Sequence, residues 1–94
     1  MLINLDTKSQ IDTSLILFLK SHVNYTEFNM LNSKSKICSY TLKKYEHLLQ
    51  NHNFRRVHRT YMVNMEHVVA IYPAEVLLSN GTVVPVSRRR RNNS

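Results

Sequence analysis

Phe54–Asn64 reads FRRVHRTYMVN and sets three arginines and a histidine among Phe54, Val57, Tyr61 and Val63. A solvated charge run would lack those apolar residues. Here an anchored face alternates with a cationic one, the pattern of a half-buried strand pair that presents polar side chains to a partner. With Phe54 and Val57 in a core, Arg55, Arg56, His58 and Arg59 fall at or near a strand-to-loop junction, where a rigid scaffold and outward reach combine. Taken singly, Arg55 and Arg56 read equally well as a solvated strand face, and His58 as a hydrogen-bonded framework histidine. Their clustering is what asks for an anionic partner.

Downstream, His67–Tyr72 is a second β-rich run, interrupted by Pro73 and Ala74 and resumed at Glu75–Leu78. Asn80-Gly81 then separates LLS from TVVPV. This dipeptide predicts a hairpin through a type I′ turn, which needs positive φ at both positions. Pro85 has to occupy an edge or a ladder position whose N–H is not needed. The last strand runs into Ser87 and the arginines at 88–91.

Upstream, Leu42, Tyr45, Leu48 and Leu49 recur at helical spacing behind Thr41 as N-cap, and Asn51 and Asn53 can end the segment. One short helix is expected over about residues 42–50, with Lys43, Lys44, Glu46 and His47 as its solvated scaffold face. A recognition helix is not expected here: the segment is too short, and the strongest cationic cluster lies after it rather than on it. Before it, Thr26, Phe28 and Met30 alternate with polar residues as a half-exposed strand does. Turn residues 32–34 then lead to a partner strand with Ile37 or Cys38 toward the core. Residues 21–25 read as a connecting loop, Ser14–Lys20 as a buried core strand, residues 6–13 as a polar loop and residues 1–5 as a short first strand.

The chain has 94 residues, enough for a single domain over 1–94 with one modest core. Hydrophobic residues at 43%, with one Gly and two Pro, supply that core and exclude a low-complexity chain up to the last residues; 90–94 read as a flexible basic tail. Thirteen Lys and Arg against six Asp and Glu give +7, which makes nucleic acid, a membrane surface or an acidic protein the candidate partners. The single Cys38 excludes an internal disulfide and fits a small buried side chain in a reducing compartment. His22, His47, His52, His58 and His67 lack metal-ligand spacing, so no metal and no cofactor is expected. The longest apolar run, Leu15–Leu19, is too short for a bilayer-spanning helix, and a cytoplasmic location is expected. No paired carboxylates, nucleophile elbow or P-loop is present, so the expectation is not an enzyme.

F-x-R-V-H-R-T-Y-M-V-N over residues 54–64, with SNGTVVPVSRRR over residues 79–90, resembles the LytTR family of bacterial DNA-binding domains, and the resemblance covers nearly the whole chain. It implies a mostly β domain, antiparallel sheets built from hairpins with one short α-helix, that docks loops into successive major grooves of double-stranded DNA. It implies the output domain of a transcriptional response regulator in a two-component system, with a receiver or sensory domain upstream and a dimer on repeated half-sites. Carried over by position, Tyr25, Arg59 and Arg89 are the expected base readers. Asn24, Arg56, His58, Ser87 and Arg88 are the expected phosphate-contacting or framework residues; the run of four arginines leaves the register at Arg88 and Arg89 open by one. Arginine suits such positions because its planar fork bonds a phosphate, or guanine O6 and N7, through two parallel hydrogen bonds. The competing reading is a basic module for acidic proteins or membrane surfaces without sequence-specific DNA recognition, since charge alone does not separate these partners.

Overall fold

In a computed structural model, residues 2–4, 10–31 and 35–90 are described. Chain order is β1 (Leu2–Asn4), β2 (Gln10–Asp12), a 3-10 turn (Thr13–Leu15), β3 (Ile16–Ser21), β4 (Thr26–Met30), β5 (Lys36–Cys38), α1 (Leu42–Leu49), β6 (Phe54–His58) and β7 (Tyr61–Asn64). A second 3-10 turn (Met65–His67), β8 (Val68–Ile71), β9 (Glu75–Leu78), β10 (Val83–Pro85) and a last 3-10 turn (Arg88–Arg90) follow. The fold is mostly β, with one helix among the described residues. Its strands pair antiparallel in a five-stranded sheet β5-β4-β3-β7-β6, a three-stranded sheet β10-β9-β8 and the two-stranded β1-β2.

The five-stranded sheet is covered on both faces. Against one face pack Leu42, Tyr45 and Leu49 of α1 and Ile3 and Ile11 of the first hairpin, meeting Ile16, Leu19, Phe28, Phe54 and Met62. Tyr45 meets Phe28 edge-on at 4.9 Å between centroids, an aromatic contact that adds about 0.5–1.5 kcal/mol to the burial itself. On the other face Leu17, Val57 and Val63 meet Val76, Leu78 and Val84 of the three-stranded sheet. The central stretch therefore mixes buried and half-exposed residues as its alternation suggests, but its apolar residues go to two faces rather than one. Phe54 and Val57 both enter cores, but opposite ones.

Two bulges adjust the side chains to this double burial. Pairing shifts between Ile16 and Phe18 on β3 and between Arg56 and His58 on β6. The first places Leu17 and Phe18 together on the face of the second core, while Ile16 and Leu19 serve the first. An extra residue in one strand does this and increases the local twist.

Other boundaries follow from local chemistry. Residues 10–12, expected as loop, form β2 because Ile11 pairs with Ile3 and buries beside it. The helix ends one residue before its expected limit, and Asn53, at φ 65°, takes the left-handed conformation that asparagine tolerates. Thr41 occupies the N-cap position without a side-chain capping bond, and Leu48, expected inward, is 41% exposed. Cys38 packs partly against the first core, whereas Ile37 faces outward. The β9–β10 hairpin forms where Asn80-Gly81 predicts it, but only Gly81 has positive φ, at 91°. Gly81 N–H bonds the Leu78 carbonyl and Leu78 N–H bonds the Thr82 carbonyl, so the turn is a three-residue loop closed by a glycine bulge rather than type I′. Pro85 sits on β10, an edge of its sheet. The expected turn at 32–34 lies outside the described residues.

Candidate nucleic-acid interface

Three loops separated in sequence meet at one end of the central sheet. The β3–β4 loop, residues 22–25, is tied to the β6–β7 turn by Ser21 N–H donating to the Thr60 carbonyl at 2.8 Å. The segment after β10 joins them through Ser87 N–H to the Val57 carbonyl, also 2.8 Å. Asn24, Tyr25, Arg59, Arg88 and Arg89 are exposed on these segments, with His58 and Ser87 half-buried behind them. All three base-reading candidates are therefore exposed on segments that meet at this end of the sheet.

Each loop is braced from within. His22 N–H bonds the Tyr25 carbonyl at 2.8 Å, the two rings stack at 4.4 Å between centroids, and His22 Nε2 meets Glu27 Oε1 at 2.9 Å. That contact to His22 is the leading cause holding the Glu27 carboxyl below the usual glutamate range. Tyr25 thus stands on an oriented ring. His58 Nδ1 accepts from Thr60 N–H at 3.2 Å, with the Thr60 hydroxyl at 2.9 Å. With Nδ1 accepting, the neutral ring carries its proton on Nε2. The ring also meets Tyr61 edge-on at 5.7 Å.

Arg56 belongs to the scaffold side of the cluster. Nη1 donates to Glu46 Oε1 on α1 at 3.1 Å, Nε to the His58 carbonyl at 3.3 Å, and Nη2 to the Arg59 carbonyl. Arg59, Arg88 and Arg89 make no side-chain hydrogen bond or ion pair among the described residues. Arg90, expected to begin a flexible tail, closes the final 3-10 turn; residues 91–94 lie outside the described residues.

Sequence reasoning gave no site role to three residues that shape this end, nor to Asn64 at the opposite end of β7. His22, Glu27 and Glu46 act through partners five and ten residues away, which no local pattern marks. Asn64 is 1% exposed: its Nδ2 donates to the Thr13 and Ile16 carbonyls at 3.1 and 2.9 Å, and its Oδ1 accepts from Glu66 N–H at 3.0 Å. A polar residue closing a run of buried strand residues was the available signal. Among the described residues no group of three or more His, Cys, Asp or Glu could hold a metal ion, and no helix is long and apolar enough to cross a membrane.

A β scaffold that gathers three loops and their exposed arginines at one end defines a module with a cationic loop surface. Comparison with known proteins gives the particular kind. The chain matches the LytTr DNA-binding domain over residues 6–93 and belongs to that family. A solved structure described as the LytTr DNA-binding domain of a methyl-accepting/DNA response regulator from Bacillus cereus is similar to it at 28% identity and a TM-score of 0.83, over 98% of this chain and 91% of that one. No curated protein matches the chain.

Proposed function

We propose that this domain binds double-stranded DNA sequence-specifically, as the output module of a transcriptional response regulator. The observation that carries the reading is the convergence of the three loops, with Tyr25, Arg59 and Arg89 exposed together on a rigid end of the sheet. In the proposed complex, Arg59 and Arg89 address base edges in the major groove, where an arginine fork recognises guanine, and Tyr25 adds a contact from the stacked loop. His58 through Nε2–H, with Asn24, Ser87 and Arg88, holds phosphates and sets the register of the protein on the duplex. Family membership supports DNA as the partner, and the Bacillus cereus protein supports a place in response regulators. Two copies on repeated half-sites, in a cytoplasmic protein with a receiver or sensory domain ahead of this one, complete the proposal.

Selection of bound duplexes from a random pool tests it. The expected result is an enriched motif, repeated at a spacing near one helical turn or a multiple of it. An unenriched pool would favour the basic module without sequence preference.

A further inference from the structure

Arg56 adjoins the reading cluster in sequence, yet its guanidinium is turned into the scaffold. Its side chain is only 15% exposed, and three of its nitrogens donate to Glu46, the His58 carbonyl and the Arg59 carbonyl. The next carbonyl, that of Thr60, accepts from Ser21 N–H. Three successive carbonyls across the β6–β7 turn are thus held by donors on the flanking strands. Holding those peptide planes fixes the backbone dihedrals of Arg59 and with them the direction in which its side chain leaves the chain.

We infer that Glu46 and Arg56 form a clamp that aims Arg59, so that both are positioning residues for sequence discrimination although neither touches DNA. The inference rests on the sequence-specific reading proposed above. Glu46 decides where the Arg56 fork goes. With a carboxylate on Nη1, the guanidinium lies across the turn carbonyls; without it, the fork loses the anchor that keeps it there. The Glu46 side chain is 40% exposed, so the ion pair contributes little to folding, and its effect belongs to the geometry of the turn. A side chain whose root is already oriented loses less freedom when it docks.

Arg56→Lys separates clamp from charge, because one ammonium cannot span three acceptors as a planar fork does. Binding of Arg56→Lys, Arg56→Ala, Glu46→Ala and Glu46→Gln to the selected duplex and to a scrambled one is measured over a salt series. Amide hydrogen exchange at Arg59 and Thr60 is measured on the free proteins. Arg56→Lys is expected to weaken the selected duplex about tenfold, and Glu46→Ala about threefold, with scrambled affinity and salt slope unchanged. Exchange at the turn should quicken in both, whereas Glu46→Gln, which keeps an acceptor oxygen, should behave as wild type. An Arg56→Lys protein that discriminates like wild type, or whose turn exchanges no faster, overturns the clamp. So does an equal loss on both duplexes with a shallower salt slope in Arg56→Ala, which would make Arg56 a phosphate contact. If wild type itself binds both duplexes alike, the sequence-specific reading fails and takes the clamp's bearing on specificity with it; the exchange data distinguish that failure from failure of the clamp.

Discussion

Asn64 shows how a single polar side chain can hold this fold together. Its amide satisfies two buried carbonyls around the first 3-10 turn and one part-buried N–H of the second, and Asn64 itself is 1% exposed. Truncation would strip partners from groups that water reaches poorly, and each such group costs about 1–3 kcal/mol. Asn64→Ala should therefore lower unfolding free energy by about 2–4 kcal/mol in urea denaturation. A loss well under 1 kcal/mol would mean that water replaces the amide. Arg59 is the opposite case, exposed and without a side-chain partner among the described residues. Arg59→Ala should leave the melting temperature in place and cost about 1–3 kcal/mol on the selected duplex, with much less lost on scrambled DNA. Equal losses on the two duplexes would move base reading to Arg89 or Tyr25.

Among the elements, the β3–β4 loop couples its shape to one carboxylate. Glu27 is held below the ordinary glutamate value near 4.5, first by its hydrogen bond to His22. A depressed folded-state pKa contributes stability that is present above the unfolded value and lost as pH falls through the folded one. Wild type should then exceed Glu27→Gln in stability above the ordinary glutamate range, and the two should converge as pH falls below that range in thermal melts. A gap independent of pH would show that the charge is not what matters. On α1, Lys43 and Lys44 are exposed, and Lys44 lies 3.5 Å from the centroid of the Tyr40 ring. Replacing both with Gln should weaken DNA binding by less than about tenfold and leave the selected motif unchanged, as peripheral charge does. A changed motif would place the reading surface on the helix. Such elements differ in how plainly the sequence declares them. The helix and the β9–β10 hairpin carry period and turn chemistry in consecutive residues. Of the β1–β2 hairpin the first strand was legible, whereas β2 escaped notice because its three residues bury one side chain fully and offer no period. The two bulges escaped because an inserted residue leaves composition unchanged. Candidate readers were legible as arginines beside apolar anchors, whereas the Glu46–Arg56 tie and the His22–Tyr25–Glu27 stack exist only once the chain is folded.

At the scale of the whole molecule, one sheet serves two cores, and this double burial gives the loop end its rigidity. β6 and β7 are gripped from both faces, so the turn between them rises from strands whose buried residues Phe54, Val57, Met62 and Val63 are each packed in a core. A surface carried this way should dock with little rearrangement, and its affinity should divide into a charge part and a reading part. The charge part comes from a protein of net charge +7 with exposed arginines gathered at the reading end. Each phosphate neutralised releases condensed counterions, so with roughly six contacts the logarithm of affinity should fall against the logarithm of salt with a slope of about −5. The reading part involves base edges, which carry no condensed counterions, and should shift affinity without tilting that line. Selected and scrambled duplexes should therefore give nearly parallel lines, displaced by the free energy of sequence discrimination. Fluorescence anisotropy titrations from about 50 to 200 mM salt would measure both quantities. A slope near zero on the selected duplex would rule out a phosphate-gripping mode. Coincident lines with the full slope would leave the domain a polyanion binder whose arginines position it and read nothing.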